Sequence, residues 1–226
     1  PNVVEAIEPV AAGLEHVHVV PGTKWYGMHL GPFKTPARED DPRHLPPNFY
    51  YDQWDYLVER QQGARWTFSS SRPHGISGFA LGNHSNLTLV IAVYAAICKE
   101  LGLPLCHPGT PGNYGALYQC TDSGLLARAI VWMATTPACA NEAFNITNGD
   151  LIRWEHTWPK IARYFGMETG PRRRLSLVQF MADKAPVWER IVAKHGLRPY
   201  SYHEIVNWAY GDFVFTPEYD VISSTH

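Results

Sequence analysis

Two short segments carry residue types that could act together on a substrate. Pro21-Gly22-Thr23-Lys24-Trp25-Tyr26 sets an ammonium just after a β-branched run. Asn48-Phe49-Tyr50-Tyr51-Asp52 sets phenols behind a residue suited to cap a helix. A phenol titrates near 10, so at neutral pH it is a poor acid or oxyanion donor unless a cation lies close. Lys24, at the end of a neighbouring strand, supplies that cation. Tyr51 would then give a hydrogen bond or a proton to an oxygen on which negative charge develops. A structural lysine and a core tyrosine fit the same spacing, and from these residues alone both readings stay open.

Other spacings invite chemistry and carry less. Gly109-x-x-Gly112-x-x-Gly115 has the spacing of a dinucleotide loop, but Pro108 and Pro111 interrupt it and no helix signal starts at Gly115. A diphosphate needs a strand before the glycines and a helix N-terminus after them, so a plain loop is expected. Gly75-Ile76-Ser77-Gly78 lacks the G-x-S-x-G spacing of a nucleophile elbow. Arg172-Arg173-Arg174 reads as a solvated loop, and His16 and His18 read as ordinary strand histidines with no third ligand near them. Cys98, Cys106, Cys120 and Cys139 form no C-x-x-C pair and no zinc spacing, so no metal site is expected. The N-x-S/T triplets at Asn83, Asn86 and Asn145 read as chance matches.

These residues need a frame to hold them. Val3, Val4, Ile7, Val10, Ala11 and Leu14 recur at helical spacing, so residues 2–14 are expected to be helical, with a stop at Gly13. His16 to Val20 reads as a strand ended by Pro21-Gly22. Residues 27–47 hold five prolines and form a loop, after which Asn48 caps a helix from Phe49 to Gln62. Trp66 to Ser69 is the next strand, ending by Pro73. Strand, helix, strand is a βαβ unit and implies a parallel sheet. In an open parallel sheet, ligands bind beyond the carboxyl ends of the strands, where Lys24 stands. Further on, helices are expected at Leu87–Leu101, Gly124–Thr136, Trp154–Phe165, 175–184, 187–195 and 203–210, with strands at Leu103–His107 and Glu142–Thr147. The fold class is thus α/β, with a more helical C-terminal part.

Composition narrows the function. The chain has 226 residues, 45% hydrophobic and 18% charged, as a globular domain requires. Its 19 basic and 21 acidic residues leave a net charge of −2, which excludes the strong fields that nucleic acid or anionic membrane partners need. No apolar run reaches the roughly 18 residues of a membrane span. The 8 tryptophans and 12 tyrosines therefore read as core and pocket lining rather than base-stacking platforms. The cysteine usage is ordinary for a reducing compartment, and a cytoplasmic location is expected. Pro1 replaces an initiating Met and helical periodicity starts at once, so the chain is read as a fragment that begins inside an element.

Several motifs together resemble one family. Gly22-Thr23-Lys24-Trp25-Tyr26 with Gly31-Pro32-Phe33, Asn48 to Tyr51, and Trp66 through Phe79 with Arg72, Pro73, Ile76 and Gly78 are among them. So are Val93 to Lys99, Asn141 to Asn145, Asn148-Gly149-Asp150 followed by Trp154 and His156, and Pro186 to Glu189. Jointly the chain resembles the progesterone 5β-reductase and iridoid synthase-like enone reductases, a branch of the short-chain dehydrogenase/reductases, over nearly its whole length.

The resemblance implies a partial Rossmann-like parallel sheet flanked by helices. Residues up to about 150 would form the cofactor and catalytic part, and about 151–226 a helical substrate-side lobe. It implies an NADPH-dependent oxidoreductase that adds hydride to the C=C bond of an enone. Tyr51 would be the catalytic tyrosine and Lys24 its partner, both also contacting the cofactor. Pro73 and Ile76 would pack near the nicotinamide, and Phe33 would line the substrate pocket. None of the tyrosines has a lysine four residues later, so the separated pair fits this branch rather than ordinary short-chain enzymes. A carbonyl reductase, an epimerase or dehydratase, and a non-catalytic NADP-sensing or inert fragment are the alternatives. The implied partner is a small-molecule enone, and a homodimer is left open.

There are departures from the family pattern. Two extra residues lie between Tyr26 and Gly31, Trp25 replaces a histidine, and Ser71 and His74 flank the Arg-Pro pair. The family's glycine-rich turn has no counterpart here, so weak NADPH binding by this chain is expected.

Overall fold

A computed structural model describes residues 2–225. The reading placed on Pro1, that the chain begins inside an element, falls outside the described residues, as does His226. The elements in chain order are α1 (Asn2–Ile7), β1 (His16–Val19), α2 (Phe49–Gln61), β2 (Thr67–Pro73), β3 (Gly75–Ser77) and α3 (Leu87–Glu100). Then follow α4 (Pro111–Gly115), β4 (Leu117–Tyr118), β5 (Cys120–Asp122), α5 (Ser123–Thr135), β6 (Glu142–Ile146) and β7 (Ile152–Arg153). The chain closes with α6 (Trp154–Tyr164), α7 (Leu177–Phe180), α8 (Ala185–His195), α9 (Tyr202–Ile205) and α10 (Trp208–Phe215).

The chain divides into two units. The first holds the residues up to His74, Cys120–Gly149 and those from Ile222 onward. Its frame is a parallel sheet in the order β1-β2-β6. His16 pairs with Thr67 and His18 with Ser69, while Ser71 pairs with Phe144 and Arg72 with Asn145. Side chains alternate across a strand, so this register assigns each residue a face. Val17, Val19 and Phe68 turn to one face, where Leu57 and Trp54 of α2, Val4 of α1 and Trp66 join them in a core cluster. Burying each of these large side chains contributes about 1.5–3 kcal/mol. His16, His18, Ser69, Ser71 and Phe144 turn to the other face, where Trp132 of α5 packs on Phe144 at 5.4 Å between ring centres.

The second unit holds Gly75–Gln119 and Asp150–Val221. In it α3 packs against α8 and α10, and α4 against α6. Its centre is aromatic, with buried His107 ringed by Tyr114, Trp154, Trp158 and Phe215 at 4.9–6.1 Å between centroids.

The βαβ unit and its parallel sheet form as expected, and so does the cap on α2, where Asn48 accepts a hydrogen bond from Tyr50 N. Several expectations are corrected. The first helix stops at Ile7 and turns follow to Gly13, because the unbroken periodicity is not matched by a buried face. The strand expected at Leu103–His107 is a single bridge, Leu105 to Thr169, with Pro104 removing a ladder donor. The helix expected at 175–184 is the short α7, and that at 203–210 is divided into α9 and α10, with Asn207 capping the second. A short helix, α4, runs through the Gly109 to Gly115 segment, with Thr110 as its cap. Asn145 and Asn86 are buried, and Asn86 caps α3, so neither is an accessible glycan acceptor. Among the described residues no helix is long and apolar enough to cross a membrane.

Candidate active site

Beyond the carboxyl end of β1 the chain winds into a single 3-10 turn, Gly22–Tyr26. Gly22 makes the entry possible, because its φ is +62° and a side chain there would meet the Pro73 carbonyl at 3.2 Å. The turn points Trp25 and Tyr26 inward, both buried, and leaves Lys24 exposed. Asn48, at the start of α2, donates from Nδ2 to the Lys24 carbonyl at 2.9 Å. Three residues on, the Tyr51 hydroxyl donates to the Trp25 carbonyl at 2.7 Å. These two bonds hold the segment carrying Lys24 against the helix carrying Tyr51.

The Tyr51 oxygen is enclosed. It accepts a hydrogen bond from His44 N at 2.8 Å, and the residue is 4% exposed. The Arg43 guanidinium lies 5.1 Å from the Tyr51 ring centre and is held there by a two-pronged ion pair with Asp55. A side chain on Gly27, whose φ is +84°, would collide with the His44 ring. The loop of residues 27–47 is therefore fitted over the tyrosine.

A second network joins all three strand ends. Arg72, 3% exposed, stacks over the Trp25 ring at 4.2 Å and donates to the Tyr26 hydroxyl at 3.1 Å and the Glu39 carbonyl at 3.0 Å. Tyr26 in turn donates to Asn145 Oδ1 at 2.7 Å. The Asn145 amide is used up by the Ala37 and Ser224 carbonyls. Burying a guanidinium is costly, and the two Nη1 bonds and the stacked ring offset part of that cost, while Nε is buried without a partner. Burial pushes the Tyr26 phenol above its usual range, with Arg72 opposing the shift.

Phe33 stacks parallel to Tyr26 at 6.4 Å. With Pro32, Lys34, Asp41, Pro42 and His44 these rings line a cleft of about 380 Å³, whose walls suit a flat, mainly apolar molecule. Pro73 ends β2 in the same unit and is buried, and Ile76 lies in β3 of the second unit. The structure thus gathers Lys24, Tyr51, Phe33 and Pro73 in one unit. Arg72 and His44 were not singled out by the sequence reading as site residues. Arg72 had a signal: a charged residue inside a strand core needs built partners.

Residues that could meet a nicotinamide cofactor divide. Beside Pro73, buried His74 bonds Ser223 through Nε2 at 2.7 Å, while its Nδ1 is buried without a hydrogen-bond partner. The spaced glycines offer no diphosphate cradle: Glu218 fills the space beside Gly112, and the Phe215 carbonyl that beside Gly109.

A family model described as a PRISE-like Rossmann-fold domain matches residues 2–217. A "(S)-8-oxocitronellyl enol synthase" of Nepeta racemosa is 38% identical over 96% of this chain and 58% of its own length. A "3-oxo-Delta(4,5)-steroid 5-beta-reductase" of Arabidopsis thaliana is 37% identical, again covering 96% of this chain and 58% of the relative. The chain therefore spans less than two thirds of the relatives it matches. Among solved structures, a Thermus thermophilus UDP-glucose 4-epimerase complexed with NAD aligns at TM-score 0.52 and 20% identity, over 94% of this chain and 67% of the other. The Pseudomonas aeruginosa protein RMD complexed with NADPH aligns at TM-score 0.54 and 18% identity, over 77% and 60%. At these identities the likeness is one of fold.

Proposed function

This chain belongs to the family of PRISE-like Rossmann-fold domains, and from that premise we propose that its protein reduces the C=C bond of an α,β-unsaturated carbonyl compound. The observation that carries the reading is the pair of bonds, Tyr51 to the Trp25 carbonyl and Asn48 to the Lys24 carbonyl, that fixes a phenol beside a lysine turn at a strand's carboxyl end. The names of the relatives, one a steroid 5-beta-reductase, support it.

NADPH is the cofactor this reading takes, supplying hydride to the β-carbon when bound. Pro73, at the end of β2, is the residue of the first unit proposed to meet its nicotinamide end. As hydride adds, negative charge moves to the carbonyl oxygen. Tyr51 turns its hydroxyl from the Trp25 carbonyl to that oxygen, while His44 N continues to donate to the phenol oxygen. Lys24 contributes positive charge at the same end, and Phe33 and Tyr26 wall the apolar body of the substrate. Preorganised donors of this kind act where charge develops.

Tyr51→Phe and Lys24→Met should each lower enone turnover by about 100-fold or more. Near-normal turnover in both variants would overturn the assignment.

A further inference from the structure

The two histidines of β1 are not solitary strand residues. His16 Nδ1 lies 2.8 Å from Thr67 Oγ1, and His16 Nε2 lies 2.7 Å from Ser69 Oγ. His18 Nδ1 lies 2.8 Å from the same Ser69 Oγ, and His18 Nε2 lies 2.9 Å from Ser71 Oγ. Thr67, His16, Ser69, His18 and Ser71 therefore form an unbroken ladder of four hydrogen bonds along one face of the sheet. Over four residues of strand it runs about 13 Å. Ser69 and Ser71 are 0% exposed, while both imidazoles keep partial access to solvent.

Donor counting restricts the ladder to two neutral states. A neutral imidazole has one donor and one acceptor nitrogen, and Ser69 has a single proton. If Ser69 donates to His18 Nδ1, then His16 must donate from Nε2 to Ser69, and His18 must donate from Nε2 to Ser71. If Ser69 donates to His16 Nε2, both rings must instead carry their proton on Nδ1. The two rings are thus forced into the same tautomer. Burial holds both rings below the usual histidine range, His18 at about 4 with His16 adding repulsion, so both are neutral near pH 7. Glu142 on β6 and Arg128 on α5, the ionisable side chains of the elements on that face, are both exposed.

We propose that this ladder is a proton relay, running from the Thr67 end towards the carboxyl ends of the strands. A proton from solvent water reaches His16 Nδ1 through the Thr67 hydroxyl. The Nε2 proton of His16 passes to Ser69 Oγ, the Ser69 proton passes to His18 Nδ1, the Nε2 proton of His18 passes to Ser71 Oγ, and the Ser71 hydroxyl gives up its own proton to a base beyond the strand end, the enolate in the reduction proposed above. One proton enters, one leaves, no charge remains, and both rings have exchanged tautomer. Ring reorientation or the reverse transfer resets the chain. The existence of the relay stands on this geometry alone. Its destination rests on the reduction proposed above, which consumes one proton per hydride, and Ser71 stands two residues before Pro73 at the strand end.

Long-range nitrogen NMR of the imidazoles in this chain near neutral pH decides its existence. His16 and His18 are expected to show the same tautomer, and Ser71→Ala to shift the tautomer populations of His16. In a Ser69→Ala background that response should vanish. Opposite tautomers in the unaltered chain, or a His16 response that survives Ser69→Ala, would overturn the relay. Should Ser69→Ala fail to fold, the unaltered chain and Ser71→Ala decide by themselves. For the destination, Ser69→Ala in the active protein should lower kcat by about tenfold or more with KM unchanged and a larger solvent isotope effect. Unchanged kcat would remove the destination. A protein with no enone turnover would remove the proposed reduction and leave the relay to the NMR result.

Discussion

Tyr51 and Trp25 are joined twice. The Tyr51 hydroxyl donates to the Trp25 carbonyl at 2.7 Å, and the two rings meet edge to face with centroids 4.9 Å apart. The helix that presents the phenol is thereby fixed to the turn that presents Lys24.

Tyr51→Phe removes the hydroxyl and leaves the Trp25 carbonyl and His44 N without that partner. The loss of stability should be about 1–3 kcal/mol, since buried groups are orphaned while the ring packing is kept. Urea unfolding followed by tryptophan fluorescence measures it. An unchanged midpoint would mean that the enclosure of this hydroxyl is not structural.

Tyr26→Phe breaks the chain from Arg72 to Asn145 and orphans a donor of the buried guanidinium. A cost of about 1–3 kcal/mol is expected. Arg72→Lys should also be destabilising, because an ammonium has no planar face to stack on the Trp25 ring. Equal stability of Arg72→Lys and the unaltered chain would contradict the network.

Two buried histidines and the half-buried His18 tie stability to pH. Burial depresses His74 and His107 to about 3 and His18 to about 4. In the unfolded chain each takes up a proton below about pH 6.5. Between those values the unfolded state binds more protons, so stability is full above about 6.5 and is lost as pH falls towards the folded values. Urea midpoints should drop steadily on acidification through this window. His107→Gln should shrink the drop, and a midpoint indifferent to pH would show the rings are not held neutral.

The parallel sheet, the cap at Asn48 and the turn at Gly22 were legible because local signals and tertiary packing agree there. Pro21-Gly22 ends a β-branched run, and Asn48 precedes a helix it does cap. Residues 8–13 kept a helical apolar period without a buried face to reward it, and the helix ended early. The division of 203–210 into two short helices followed from Asn207 capping its own backbone, a local bond that periodicity does not reveal. The lysine and tyrosine were visible as residue types, whereas the enclosure of Tyr51 by His44 depends on how a proline-rich loop folds back. The ladder of His16 and His18 was hidden for a related reason. Its partners come from β2, about 50 residues away, and only the register of two strands reveals them.

The proposed reaction adds hydride across carbon–carbon rather than carbon–oxygen. The most direct measurement supplies the active protein with an enone and NADPH carrying deuterium at the transferred position, and locates the label in the product by NMR. Deuterium is expected on the β-carbon of a saturated ketone, with that transfer abolished in Tyr51→Phe. Deuterium on the carbonyl carbon of an allylic alcohol, or no transfer to any enone, would contradict it.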